Sequence, residues 1–337
     1  MHENSEPPLI TRRETIAGTA ATALLARRAV AQQPPRQRET AQGIVFDADA
    51  ADRRGVPSVL VSNGEQVVRT DSEGRWKLPI ERGASIFVIK PSDWATPLDA
   101  NNLPRFAYLH QPEGTPPNLG LRYHGVAPTG PLPESINFPL RRQVEPRQFQ
   151  ALLFADPQPE SPLELGFVRD DVVAQAACLP GAFGITLGDI MFDDLSIYQR
   201  SNQIHGAIGR PWYNCCGNHD MNYEAPDDAF SRETFKRYFG ARYTAFQHGG
   251  ATFFLLDNVE YLGNHKYQGR FGPRQLAFIR NVLALLEPEE LTVYCFHVPL
   301  RTAVGDNPNV AAIDHRAFFR NHLWSIKLRQ LQRSHPY

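Results

Sequence analysis

A chain of 337 residues with 42% hydrophobic side chains has enough apolar material for one large or two ordinary globular domains. Its formal net charge is -1, and Lys and Arg are interspersed with Asp and Glu, so no basic tract offers itself to nucleic acid or to an anionic membrane surface. No apolar stretch reaches the roughly 20 residues needed to cross a bilayer.

In chain order, Thr11-Arg12-Arg13-Glu14, a mildly apolar stretch over 16–26 and Ala29-Val30-Ala31 read as a twin-arginine export signal over residues 1–31, which predicts a periplasmic or secreted protein. Residues 32–42 are polar and Pro/Gln/Arg-rich, the composition of a flexible lead-in. Short alternating runs follow over 43–46, 58–62, 66–70, 76–79 and 85–90. Turn residues such as Asn63-Gly64 and Ser72-Glu73-Gly74 separate them, which predicts a small β-sandwich domain over 43–145. Proline is dense over 112–139, where neither strand nor helix runs far, and this reads as a long connecting loop.

From Phe149 onward apolar strands alternate with helical patterns over 163–179, 193–209, 227–239 and 273–286. In the last of these Leu276, Ile279, Val282, Leu283 and Leu286 fall at helical spacing behind Pro273. Such alternation predicts a layered α/β domain over 146–320, followed by a divergent tail over 321–337. The cysteines, Cys178, Cys215, Cys216 and Cys295, show no metal-knuckle spacing, and three of them lie within apolar runs as small buried hydrophobes.

Five apolar runs in this second half each stop at a polar residue able to bind a metal: 152–154 before Asp156, 183–187 before Asp189, 212–216 before Asn218, 253–256 before Asp257, and 293–296 before His297. Buried parallel strands have this form, and ligand sites in open α/β sheets lie beyond the carboxyl ends of the strands. Asp156-Pro157-Gln158, Gly188-Asp189, Gly217-Asn218-His219-Asp220 and the lone His297 occur in that order. Together they resemble the calcineurin-like metallophosphoesterases, in the branch that carries an amino-terminal β-sandwich. The resemblance runs from about Gly43 to about Phe319.

The resemblance implies a layered metallophosphoesterase fold behind a transthyretin- or immunoglobulin-like sandwich, with two divalent ions of manganese, iron or zinc. Asp189 would bridge them, because a shared anion offsets their mutual repulsion. Asp156 and Gln158 would complete one shell, and Asn218 and His297 the other, a mixed oxygen and nitrogen set that disfavours magnesium and calcium. A metal-bound hydroxide would attack a phosphomonoester or phosphodiester, His219 would protonate the leaving oxygen, and Asp220 would orient its ring. Asn222, Tyr223, Asn258 and Tyr261 follow strand ends and would line a substrate pocket. Asp193 and Asp194 read as a helix start, and His205, His248, His265 and His315, which lack ligand spacing, as surface or packing residues. The sandwich, through Gly55-Val56-Pro57 and Thr70-Asp71-Ser72-Glu73-Gly74-Arg75-Trp76, resembles transthyretin-like modules, for which a bracing role is expected.

After His297 the family pattern calls for Gly-His-x-His, and this sequence contains none. The expectation is a frameshifted or truncated end that leaves each metal one imidazole short and catalysis impaired. His322 and His335 lack the tight turn that would let them substitute. The alternative reading, from another class, is a non-catalytic envelope-binding protein with a vestigial phosphoesterase domain. The sequence indicates a phosphate-ester substrate and no nucleic-acid partner, and it leaves the oligomeric state open.

Overall fold

The computed structural model describes residues 38–299. The export signal expected over 1–31, the family-like stretch 311–319, His315, His322, His335 and the divergent tail over 321–337 all lie outside the described residues. Strand β1 (Glu39–Asp47) begins inside the expected lead-in, which corrects its end from residue 42 to before Glu39.

After β1 come β2 (Leu60–Ser62), β3 (Val67–Arg69), β4 (Arg75–Ile80), β5 (Ala84–Ile89), β6 (Trp94–Ala95), β7 (Ala107–His110) and β8 (Phe138–Arg142). They form two four-stranded sheets, in the orders β4-β1-β8-β6 and β3-β2-β5-β7. Alternation in β4 puts Trp76, Leu78 and Ile80 into a core shared with Ala41, Val45, Val61, Ile86, Val88 and Leu140. The turns are built by Asx side chains. Asn63 Oδ1 accepts from the Glu65 and Gln66 amides, Asp71 Oδ1 from those of Glu73 and Arg75, and Gly64 and Gly74 supply the positive φ. Beyond the proline-rich segment the chain returns as β8, which pairs parallel to β1 and closes the sandwich.

In the second half β9 (Ala151–Phe154), β10 (Phe183–Thr186) and β11 (Trp212–Asn214) form a parallel sheet in the order β11-β10-β9. Helices α1 (Pro162–Phe167) and α2 (Ala174–Ala176), joined by one π-helical stretch over Val168–Val173, cross from β9 to β10, and α3 (Tyr198–Gly206) crosses from β10 to β11. Helix α4 (Glu233–Phe239) precedes a second sheet of β12 (Thr244–His248), β13 (Ala251–Leu255) and β16 (Leu291–Cys295), in the order β12-β13-β16. Between β13 and β16 lie the hairpin β14 (Val259–Gly263) and β15 (Lys266–Gly269) and helix α5 (Pro273–Leu283). The five apolar runs therefore divide between two sheets, and β12, antiparallel to β13, joins them.

Aromatic packing sets these two sheets face to face. Phe246 of β12 stacks on Tyr213 of β11 at 4.0 Å and meets Phe183 of β10 edge-on at 5.1 Å. Helix α5 buries Phe278, Ile279 and Val282 in the same core, which also receives Leu60, Phe87 and Ile89 from the sandwich.

A buried ionic cluster joins the sandwich to the α/β layers. Lys90, just after β5, bonds Glu145 Oε1 at 2.6 Å and the Gln247 carbonyl at 2.7 Å. Glu145 Oε2 accepts from the Asp93 and Gly249 amides, both at 3.0 Å, and His248 Nδ1 lies 3.1 Å from Oε1. Burial alone would raise the Glu145 carboxyl, but His248, Lys90 and the Gly249 amide outweigh it and lower the pKa from 4.5 to about 2. A depressed carboxylate pKa contributes stability that is complete above the ordinary 4.5 and is lost as pH falls toward 2. Glu145→Gln leaves the Lys90 ammonium buried without its countercharge. Urea unfolding at neutral pH is expected to register a loss of about 3–5 kcal/mol, with the variant's stability less steep in pH below 4.5. An unchanged midpoint would mean that the cluster contributes nothing.

Candidate metal centre

Strands β9, β10, β11 and β16 each deliver a site residue within four positions of their last residue: Asp156, Asp189, Asn218 and His297. One oxygen from each of Asp156 and Asp189 and one nitrogen of His297 lie within 4.8 Å of one another. His297 Nε2 is 3.2 Å from Asp189 Oδ2 and 3.1 Å from Asn218 Oδ1, and its Nδ1 is 3.2 Å from the Leu187 carbonyl and 3.5 Å from Asp156 Oδ1. Gln158 Nε2 donates to Asp189 Oδ2 at 2.7 Å. The five side chains expected to hold metal thus lie together in one cluster. Gln158 turns its amide nitrogen inward here, and a metal-ligating role asks for the opposite orientation of the amide, which exchanges N for O at no steric cost.

Four non-glycine residues at the site take positive φ. Asp156 (φ 50°), Gln158 (φ 39°), Asp189 (φ 50°) and Asp193 (φ 60°) all adopt the left-handed conformation, costly for side chains other than Gly and Asn and typical of functional sites. Among the described residues no Lys or Arg pairs with Asp156 or Asp189. Burial and then the charge of Asp189 raise the Asp220 carboxyl to about 6. Burial pulls the His297 ring toward neutrality, but Asp189 and then Asp156 outweigh it and raise the ring to about 9. A cluster of carboxylate, amide and imidazole groups of this kind fits a divalent cation.

His219 stands beside the cavity, its Nε2 3.9 Å from Asp189 Oδ2 and its backbone N–H donating to Asp189 Oδ1 at 2.9 Å. The residue that orients its ring is Asp193, with Oδ1 2.8 Å from Nδ1, while Phe192 stacks on the ring at 4.1 Å. This corrects two expectations. Asp220 points away from its neighbour and accepts from the Ile190, Met191 and Gly217 amides and from the Tyr198 hydroxyl, pinning one site loop to the other. Asp193 is no helix start; Asp194 alone caps, accepting from the Ser196 amide. The sequence signal was a second carboxylate four residues after Asp189 in the same loop.

Residues 45–118 match the family model described as the N terminal of calcineurin-like phosphoesterase. Over those residues the chain is similar to the calcineurin-like phosphoesterases. Among solved structures it is similar to a purple acid phosphatase isolated from yellow lupin (Lupinus luteus) seeds, at 11% identity, with a TM-score of 0.35 and 79% of this chain covered. The match covers 52% of that enzyme, so the chain spans about half its length. No curated protein matches the chain.

Around the candidate centre, several residues expected to face substrate hold the scaffold instead. Asn222 is fully buried and donates to Thr234 Oγ1. Asn258 grips Val298 through both its carbonyl and its amide, which fixes the chain directly after His297. The Tyr261 hydroxyl donates to the Tyr223 carbonyl, and the Tyr223 hydroxyl to that of Asn218. Asp257, the fifth strand stop, stays out of the centre and pairs with the buried Arg232 and with Arg242.

Two glycines make the close approach possible. A Cβ on Gly188 would stand 2.7 Å from the His297 ring, and one on Gly217 only 2.0 Å from Asp189 Oδ1 and 2.2 Å from its backbone N. Gly217→Ala therefore has to displace Asp189 itself. A displacement of about 1 Å is expected to cost on the order of a hundredfold in activity, with metal content falling in parallel. Wild-type turnover by a folded Gly217→Ala protein would show that the loops are not tightly set.

Proposed function

We propose that this chain is a metal-dependent phosphoesterase that hydrolyses a phosphomonoester or phosphodiester at the cavity ringed by Asp156, Gln158, Asp189, Asn218 and His297. The observation that carries the reading is the convergence of two carboxylates and an imidazole within 4.8 Å at the ends of strands from two sheets. The calcineurin-like phosphoesterases use a dinuclear centre, and this donor set suits manganese, iron or zinc. Asp156 and Gln158 would hold one ion and Asn218 and His297 the other, with Asp189 between them. Bound there, such ions supply Lewis acidity toward phosphoryl oxygens and make a coordinated water more acidic.

The chain's own side chains account for the remaining steps. Asp193 accepts from the His219 Nδ1–H and so orients the ring, and with both ring nitrogens protonated the Nε2 proton is the one passed to the departing oxygen. Phe192 keeps the ring from turning away. A single imidazole, His297, stands in the described donor set, so weaker metal retention is expected than from a shell with further histidines. Export through the segment around Arg12-Arg13 remains part of the proposal, and it is supported by sequence alone.

The test is metal content together with turnover. The full chain is loaded with manganese, iron or zinc, dialysed, and assayed on 4-nitrophenyl phosphate and bis(4-nitrophenyl) phosphate. Metal retained at the cavity with metal-dependent hydrolysis of either ester is the expected result. Neither retention nor hydrolysis with any of the three metals sinks the reading.

A further inference from the structure

The β14–β15 hairpin sets two aromatic rings, Tyr261 and His265, against Tyr223 in the loop that follows Asn218. Asn264 (φ 51°) and His265 (φ 58°) form its tip, both left-handed as a two-residue hairpin loop demands. The His265 ring is exposed and lies on the Tyr223 ring at 4.5 Å with only 26° between their planes. Tyr223 is tied to the centre, since its hydroxyl donates to the Asn218 carbonyl at 2.9 Å. It also packs against the buried cluster that holds Met221, Val259 and Val298, the last adjacent to His297. Tyr267 raises its own ring from β15, close enough that, after burial, the Asp189 charge is what raises its hydroxyl's pKa. A stack of two rings, outermost member open to solvent, therefore stands on the backbone of one expected metal ligand.

We propose that this stack is a leaving-group platform: with the phosphoryl group at the metal cavity, the outer face of His265 takes the planar ring of an aryl or nucleobase-bearing leaving group. The inference rests on the phosphoesterase reading of the cavity and names the class of ester it prefers. Base-on-ring stacking tolerates many planar partners because each presents a π-face, and it discriminates against saturated rings of the same size. Among the described residues the contact His265 makes is the ring stack on Tyr223, and the hairpin pairing runs through the backbone, so the side chain can be removed without unpicking the hairpin.

The experiment titrates the manganese-loaded full chain by calorimetry with three phosphonates that it cannot hydrolyse: methylphosphonate, cyclohexylphosphonate and phenylphosphonate. Phenylphosphonate is expected to bind about tenfold more tightly than methylphosphonate, with cyclohexylphosphonate well behind it. His265→Ala is expected to erase most of that preference while holding methylphosphonate affinity within about twofold, and His265→Phe to restore it. Equal affinity for phenyl- and cyclohexylphosphonate, or a phenyl preference that survives in His265→Ala, overturns the platform and leaves the metal-site reading standing. Failure of the unaltered protein to bind any phosphonate removes the site reading, and the platform falls with it.

Discussion

Asp189→Asn is expected to lower metal-dependent phosphoesterase turnover by about a thousandfold or more and to reduce retained metal, with the urea-unfolding midpoint held near that of the parent protein. Asp189 is 2% exposed, accepts the His219 backbone N–H on Oδ1, and presents Oδ2 to Gln158 at 2.7 Å and to His297 at 3.2 Å. Asparagine keeps the shape and one carbonyl oxygen, so the contact to His219 survives, while the negative charge that would sit between two cations is gone. A thousandfold loss corresponds to about 4 kcal/mol of transition-state stabilisation, a modest figure for an anion that would lie between two cations. The result that contradicts the site is equally plain: Asp189→Asn protein that turns over and retains metal like its parent would show that the chemistry lies elsewhere.

The centre was legible in the sequence because strand ends are. Asp156, Asp189, Asn218 and His297 each follow a short apolar run, and runs of that kind end at one side of a sheet. The division of those runs between two sheets was not legible, since an apolar pentapeptide does not say which neighbour it will pair with. Strand β12, Thr-Ala-Phe-Gln-His, illustrates the difficulty: it is defined by its register against β13 and by the ring of Phe246 between Tyr213 and Phe253, all long-range facts. Strand β8 was hidden for a similar reason, because its pairing partner β1 lies about ninety residues earlier, in the register Val45 with Phe138.

Side-chain roles failed where chain adjacency was taken for contact. His219 and Asp220 are neighbours that diverge, one toward the cavity and one into a fully buried pocket of amides. Asn222 and Asn258 were mistaken in the same way: polar residues after strand ends also serve to satisfy buried backbone groups, and both do so here. Asp257 went to the buried arginine network instead of the centre, because its carboxylate is held there by Arg232 and Arg242.

The divergence of His219 from Asp220 separates proton delivery from scaffold in an experiment. If the His219 ring protonates the departing oxygen, its value depends on how badly that oxygen needs a proton. His219→Ala is expected to cost on the order of 10²–10⁴ on an alkyl phosphate, whose alkoxide is a poor leaving group, and far less on 4-nitrophenyl phosphate, whose phenolate departs unaided. Asp193→Asn is expected to follow the same substrate profile at about 10–100-fold, because Asp193 acts only by holding Nδ1 at 2.8 Å. Asp220→Asn has to behave differently. Its carboxylate accepts three backbone amides and the Tyr198 hydroxyl, so its loss lowers the unfolding midpoint and slows both substrates alike. Steady-state rates for the three variants on the two esters decide the assignment: an Asp193→Asn enzyme that turns over the alkyl ester at the parent rate would remove Asp193 as the partner of the ring, and a leaving-group-dependent loss in Asp220→Asn would return that role to Asp220.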